Sequence, residues 1–459
     1  MNPYDTTLQL NDEQENALRT MLIRRDNCLL TGEAGTGKSL LVSEFQERYK
    51  FNLVSLALNE FDAMSIGGET VQSFFGFKTD TLNPDEIEKP TPERIEIWNC
   101  LDAILIDGFT MLRHDTLDKI NRILKEYRPS YKRYQPFAGV RIIGIGDLSQ
   151  LPPVRNDAQQ LLIPDKENIT DYIFYSDVWS TAHFNIINLS TVYRQADPFF
   201  LKIISRMRCG KRHIIPNGSS PTERKVLNTF DVINQRCFKP KKPNAIRICL
   251  SPQRAQKIHE MEMHDLNDSG DVFTGHITGD FRNDATFPDI NLLIKRNMQV
   301  MLRADQYTSF DKIECRNGDI GTVVDYRLGE NPVLMIRLNT GKILNVFPHT
   351  WYSFRHEIFL NEKIHPPKIV KLKAVGSYTQ FPVIPAYALT LREALSIPLK
   401  SIHLDLENGC TLPGELYSAF SRVRSFDDLT LEKPVTWSDF KIDNRVLLIL
   451  DACDALTLH

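Results

Sequence analysis

Residues 32–39 read Gly32-Glu33-Ala34-Gly35-Thr36-Gly37-Lys38-Ser39, set between the apolar run NCLL and the helical pattern SLLVSEFQERYK. This is a full G-x-x-x-x-G-K-[ST] match in a strand–loop–helix context, and it commits the chain to a glycine-rich turn joining a buried strand to a helix N-terminus. The glycines let backbone N–H groups close around phosphate oxygens; Lys38 reaches the β and γ oxygens and Ser39 ligates Mg2+. Polyphosphate binding is the chemistry such a turn serves.

The rest of the first 190 residues fits that commitment. Short β-branched runs recur (NCLLTG, FNLVSLAL, AILIDG, RIIGIGD, FNIINL), spaced widely enough for crossover helices, as parallel strands buried on both faces require. A second set begins at NAIRICLS and resumes with PAYALT, SIHLDL and the segment around Leu429–Leu431. Between them lie brief strands punctuated by Asn317–Gly318 and Thr340–Gly341, which are hairpin signals. The expected class is therefore α/β. One domain covers 1–183, with 78–97 a Pro-rich, acidic surface insertion. A second covers 184–264 and 376–459, interrupted by a β-barrel-like insertion at 265–375.

Length and composition exclude several alternatives. At 459 residues the chain is too long for one small module. Lys plus Arg number 55 against 58 for Asp plus Glu, a net charge of −3, which excludes a histone-like coat of positive charge. Eight cysteines without a C-x-x-C pair indicate neither a zinc ribbon nor a disulfide framework, and fit a reducing intracellular compartment, nuclear or cytoplasmic. The polar N-terminus and the lack of any stretch of about 18 apolar residues argue against secretion and membrane spanning.

Two more residues extend the phosphate chemistry. Asp107 closes the strand AILIDG, where a carboxylate would approach the same Mg2+, and Gln150 in GDLSQLPPV is placed to sense a γ-phosphate.

GDLSQLPPV is preceded by PFAGVRI and followed by NLSTVYRQADPFFLKIISRMRCG and ELYSAFSRVRSFDDLTL. Together these resemble the Pif/RecD-like branch of superfamily-one helicases, from LNDEQ near the start to LTL near residue 431. The resemblance implies two RecA-like P-loop domains with parallel sheets that clamp ATP and Mg2+ between them, with a small β-barrel inserted in the second. It implies an ATP-dependent DNA helicase that moves 5′ to 3′ on single-stranded or forked DNA in replication, repair or recombination, alongside proteins of those processes. By position it gives Gln14 the adenine contact, Lys38 and Ser39 the triphosphate and metal, Asp107 the metal through water, and Gln150 the γ-phosphate. Arg194 in VYRQ and Arg422 in FSRVRS become the arginine fingers, and Thr70, Ser73 and Phe74 in GGETVQSFFGF become DNA contacts.

The chain also departs from that pattern. Gly108 stands where the family has a Glu that polarises the attacking water, a contribution of roughly 10²–10⁴-fold. Ala57-Leu58-Asn59-Glu60 replaces an A-P-T-G-like stretch, and Gln72 replaces a His. A T-I-H-K-S-Q-G stretch becomes Thr390-Leu391-Arg392-Glu393-Ala394-Leu395-Ser396, which would place the Glu393 carboxylate near a phosphate track. Two readings stay open: a helicase in which another acid positions water, or a catalytically weakened helicase-like module that binds ATP and DNA.

Overall fold

The computed structural model describes residues 10–77, 88–153, 171–193, 197–211, 213–214, 227–284, 286–307, 313–360, 368–397 and 399–456. In the first lobe, strands β1 (Cys28–Gly32), β2 (Leu53–Ala57), β3 (Glu69–Thr70), β4 (Ala103–Asp107), β5 (Arg141–Ile145) and β6 (Asn185–Leu189) form one sheet in the order β3-β2-β4-β5-β1-β6. Every neighbouring pair in it is parallel. Helices α1 (Asp12–Ile23), α2 (Lys38–Arg48), α3 (Glu60–Ser65), α4 (Val71–Phe75), α5 (Pro92–Cys100) and α6 (His114–Tyr127) surround it. The runs CLLTG and RIIGI are buried at every residue because helices cover both faces of a parallel sheet.

Helix α7 (Pro198–Arg208) then leads into the rear lobe. Strand β7 (Ile246–Cys249) opens its sheet, and the chain leaves for the insertion. There β8 (Gln299–Leu302), β9 (Ile320–Arg327), β10 (Val333–Leu338) and β11 (Ile343–Val346) form an antiparallel sheet, and β12 (His349–Leu360) with β13 (Lys368–Gln380) forms a long hairpin. After β14 (Val383–Pro385) pairs with β8, the rear sheet is completed by β15 (Ala388–Thr390), β16 (Ile402–Asp405) and β17 (Leu429–Leu431), in the order β15-β7-β16-β17, all parallel. Short helices α8 (Leu391–Leu395) and α9 (Glu415–Phe420) follow β15 and β16, and α10 (Asn444–Leu456) ends the described chain.

Four features differ from the sequence expectation. Residues 78–87 of the supposed surface insertion lie outside the described residues, but Pro92–Cys100 is a core helix: Thr91 caps it, Pro92 takes the first-turn position, and Trp98 is fully buried. Pro92 starts a helix instead of marking a loop. Strand β6 pairs with β1 along all five residues, so the first sheet runs past residue 183. The insertion likewise runs past 375, because β13 continues to Gln380 and β14 returns to pair with β8. Finally, α10 crosses back from the rear lobe: Val446 and Leu450 are buried with Leu29, Ile142 and Val178 in the first lobe's core.

Among the described residues no helix is long and apolar enough to cross a membrane.

Candidate active site at the lobe junction

The glycine-rich turn follows β1 directly. Gly35 and Gly37 have φ of +89° and +88°, a conformation that turns successive backbone N–H groups toward one side. Helix α2 begins at Lys38 with Gly37 as its N-cap and no side-chain cap, which leaves first-turn donors for an anion. The Lys38 ammonium donates to the carbonyls of Gly32 (2.8 Å) and Glu33 (2.9 Å), so the loop's own oxygens hold the cation where phosphate oxygens would compete for it. Ser39 is exposed on the first turn.

Gln14 braces this loop. Its amide oxygen accepts from Asn11 N (3.1 Å), closing a capping box at the start of α1, while its Nε2 donates to Thr36 O (3.0 Å). A Cβ on Gly37 would collide with that Nε2, so only glycine allows the approach. Arg194 lies outside the described residues, but the adjacent Tyr193 donates its backbone N–H to Gly35 O (2.9 Å), which brings the chain just before Arg194 onto the loop.

Asp107 ends β4, half-buried, and its Oδ1 accepts from Gly108 N (3.0 Å). Burial, with the charge of nearby Asp62, pushes its carboxyl up to about 6. Ser39 and Asp107 are hard oxygen donors of the type magnesium takes, so the donor chemistry fits that ion. Gly108 has φ +73° and starts a 3-10 turn over Phe109–Met111; a Cβ there would lie 3.2 Å from Leu58 Cδ1. The left-handed backbone of this turn favours glycine.

Gln150 sits in the turn after β5, with its N–H on Asp147 O (3.1 Å). This turn meets the rear lobe closely. Leu151 is buried in the rear-lobe core, and a Cβ on Gly414 would collide with the Gln150 carbonyl. Asp147, 3% exposed, accepts from Arg208 Nε (3.2 Å), Tyr417 OH (2.8 Å) and Ser149 N (3.2 Å), and in the P-loop Glu33 Oε2 accepts from Ser205 Oγ (2.9 Å). Helix α7 thus packs Phe200, Ile203, Ile204 and Met207 into the rear core and presents Ser205 and Arg208 to the front lobe. Sequence spacing gives no sign of these bridges, because Asp147 lies 61 residues from Arg208 and 270 from Tyr417.

Arg422 has two partners in its own lobe. It is buried, its Nη1 donates to Leu395 O (2.7 Å) and its Nη2 to Ser421 Oγ (3.0 Å), both in its own lobe. Arg392 reaches over from α8, with Nη2 on Pro152 O (3.3 Å) and Nη1 near Met111 Sδ (3.8 Å). Glu393, expected beside a phosphate track, is instead held in a capping box, accepting from Thr390 N (2.7 Å) and Thr390 Oγ1 (2.8 Å). A carboxylate at the third helical position satisfies the free donors of α8.

The three residues assigned to DNA are not on an open face. Thr70 is 8% exposed and caps α4 by accepting from Ser73 N (3.1 Å); Ser73 Oγ donates to Glu69 Oε2 (3.2 Å); Phe74, 3% exposed, belongs to the first-lobe core. The β12–β13 hairpin lies across this segment, with His356 Nδ1 2.7 Å from Glu69 Oε1 and the His356 ring against the edge of Phe74. The FF pair is core because α4 has a single turn in which to bury it.

A family model described as PIF1-like helicase matches residues 9–211. The chain is 26% identical to the ATP-dependent DNA helicase Pif1 of Bdellovibrio bacteriovorus, over 96% of this chain and 91% of that one. Its fold is similar to that of Bacteroides sp Pif1 in complex with ADP-AlF4, with a TM-score of 0.79 at 22% identity over 98% of each chain. It is also similar to Bacteroides Pif1 bound to ssDNA, with a TM-score of 0.63 at 24% identity over 97% of each. The two parallel sheets are accordingly those of two RecA-like domains with an antiparallel insertion in the second. A glycine-rich loop bridged to a rear lobe, a PIF1-like helicase match over the front of the chain and a Pif1 helicase aligned along nearly all of it agree on what the chain is similar to: helicases of the Pif1 type.

Proposed function

We propose that the chain is an ATP-dependent DNA helicase that tracks 5′ to 3′ along single-stranded DNA and opens forked DNA in replication or repair. The observation that carries this reading is the junction: the phosphate-binding loop and the Gln150 turn are each bonded to rear-lobe residues, so a change at the nucleotide is felt where the lobes meet. The front RecA-like domain extends through β6, the rear one comprises β7 and β15–β17, and the insertion lies between. Bacteroides relatives with ADP-AlF4 and with ssDNA support the same two ligands here.

In this reading Lys38 exchanges the Gly32 and Glu33 carbonyls for phosphate oxygens, Gln14 contacts adenine, and Gln150 reads the γ-phosphate. Ser39 and Asp107 hold Mg2+, which when bound neutralises charge on the triphosphate. Arg194 and Arg422 supply cations as the lobes close further. Closure would turn Arg422 away from Leu395, and opening of the β12–β13 hairpin would uncover the segment around Thr70, Ser73 and Phe74. Strand displacement on forks is the test. Forks with a 5′ single-stranded tail are expected to be opened with ATP and Mg2+, and 3′-tailed forks are not; opening of neither would reject the reading.

The carboxylate that stands in for the missing Glu is Asp62. It is held by Asn59 Nδ2 (2.7 Å) and Ser396 Oγ (3.1 Å), and its charge is felt at Asp107. Asp62→Asn is expected to lower kcat for ATP by about 10²-fold. Gly108→Glu is expected to give no gain, and to cost about 1–2 kcal/mol of stability because a side chain must adopt a left-handed backbone. One observation favours the weakened-module reading, the absence of any side chain at Gly108. That reading wins if Gly108→Glu raises turnover and Asp62→Asn leaves it unchanged.

A further inference from the structure

Resting on the motor reading above, we propose that Asp147 and Tyr417 are positioning residues that couple the γ-phosphate-sensing turn to α9, the helix just before Arg422. The geometry is contiguous. The Asp147 carboxylate, in the turn just after β5, spans both lobes: Oδ1 takes Ser149 N–H from its own turn and Arg208 Nε from α7, and Oδ2 takes the Tyr417 hydroxyl from α9. Gln150 is tied to the same residue through its N–H on Asp147 O, and five residues after Tyr417 the chain reaches Arg422.

The rear side fits tightly, since Gly414, the N-cap of α9, packs on the Ser149 and Gln150 carbonyls so closely that a Cβ there would collide. Any displacement of the Gln150 turn on γ-phosphate binding or loss must therefore move α9 or break the Asp147–Tyr417 bond. Burial and the adjacent carboxylate push the Tyr417 phenol well above its ordinary value, so it remains a donor across the working range. A fully buried ionic hub adds little net stability over an apolar one; what it supplies is a fixed geometry with two distinct states, bonded and broken.

Tyr417→Phe removes the hydroxyl and keeps the ring. In the presence of single-stranded DNA the variant is expected to lose about tenfold or more in kcat for ATP, the worth of a hydrogen bond to a charged group, while its KM for ATP stays within about twofold. A structural role would instead lower the melting temperature without splitting kcat from KM. Amide hydrogen exchange over 415–420 gives a second readout. In wild type, adding Mg-ADP-AlF4 is expected to slow exchange there, and in Tyr417→Phe it is not. Unchanged kcat, or equal slowing in both proteins, overturns the coupling role. Failure of the motor reading looks different, because wild-type turnover would then not respond to DNA at all.

Discussion

Asp147→Ala is expected to destabilise the protein by about 3–5 kcal/mol, the cost of leaving one partner of a buried ion pair alone. Arg208 is 7% exposed, and its Nη2 already lacks a partner among the described residues. Deleting the carboxylate leaves the guanidinium buried beside Tyr417 without its bonded counter-charge, Glu33 being the nearby acid that remains. The melting transition should fall by on the order of 10 °C, followed by differential scanning calorimetry. The double variant Asp147→Ala, Arg208→Met should recover most of the loss, because replacing both members of a buried pair by apolar groups is close to neutral. If the single variant melts with wild type, the bond does not hold the lobes together.

Lys38→Ala is expected to have the largest effect on chemistry, a fall of about 10²–10³ in kcat for ATP, typical of removing one preorganised charge from a site that stabilises developing negative charge. Its ammonium now rests on two loop carbonyls at 2.8 and 2.9 Å, and no other cation is bonded to that point of the loop among the described residues. Lys38→Arg should not rescue it: a planar fork cannot replace a compact ammonium seated between Gly32 O and Glu33 O. Steady-state ATP turnover measures both, and a Lys38→Ala enzyme as fast as wild type would remove the loop from the mechanism.

Much of this architecture was legible in the chain. The five apolar runs of the front lobe each contain one parallel strand, β1, β2, β4, β5 and the half-buried edge strand β6; the inner strands show most clearly because a strand buried on both faces has no polar face to blur its signal. Thr340–Gly341 closes the β10–β11 hairpin as a turn glycine should, with Gly341 at φ +87°, whereas Asn317–Gly318 turns the chain between two different sheets. Composition misled at 78–97, where Pro92 starts a helix, and at Glu393, where a charge expected to face phosphate caps α8. The cradle residues were readable because their spacing is local. The Asp147–Arg208–Tyr417 hub was not, since its members are 61 and 270 residues apart and pair only once both lobes are folded.

A nucleotide site whose turnover answers to DNA through the lobe junction is what makes this chain a motor. ATP hydrolysis by the intact chain, measured with Mg2+ in the presence and absence of single-stranded DNA, tests that directly. Turnover rising several-fold with DNA and abolished by Lys38→Ala is the predicted result. ATP bound but hydrolysed no faster with DNA than without it would contradict the account.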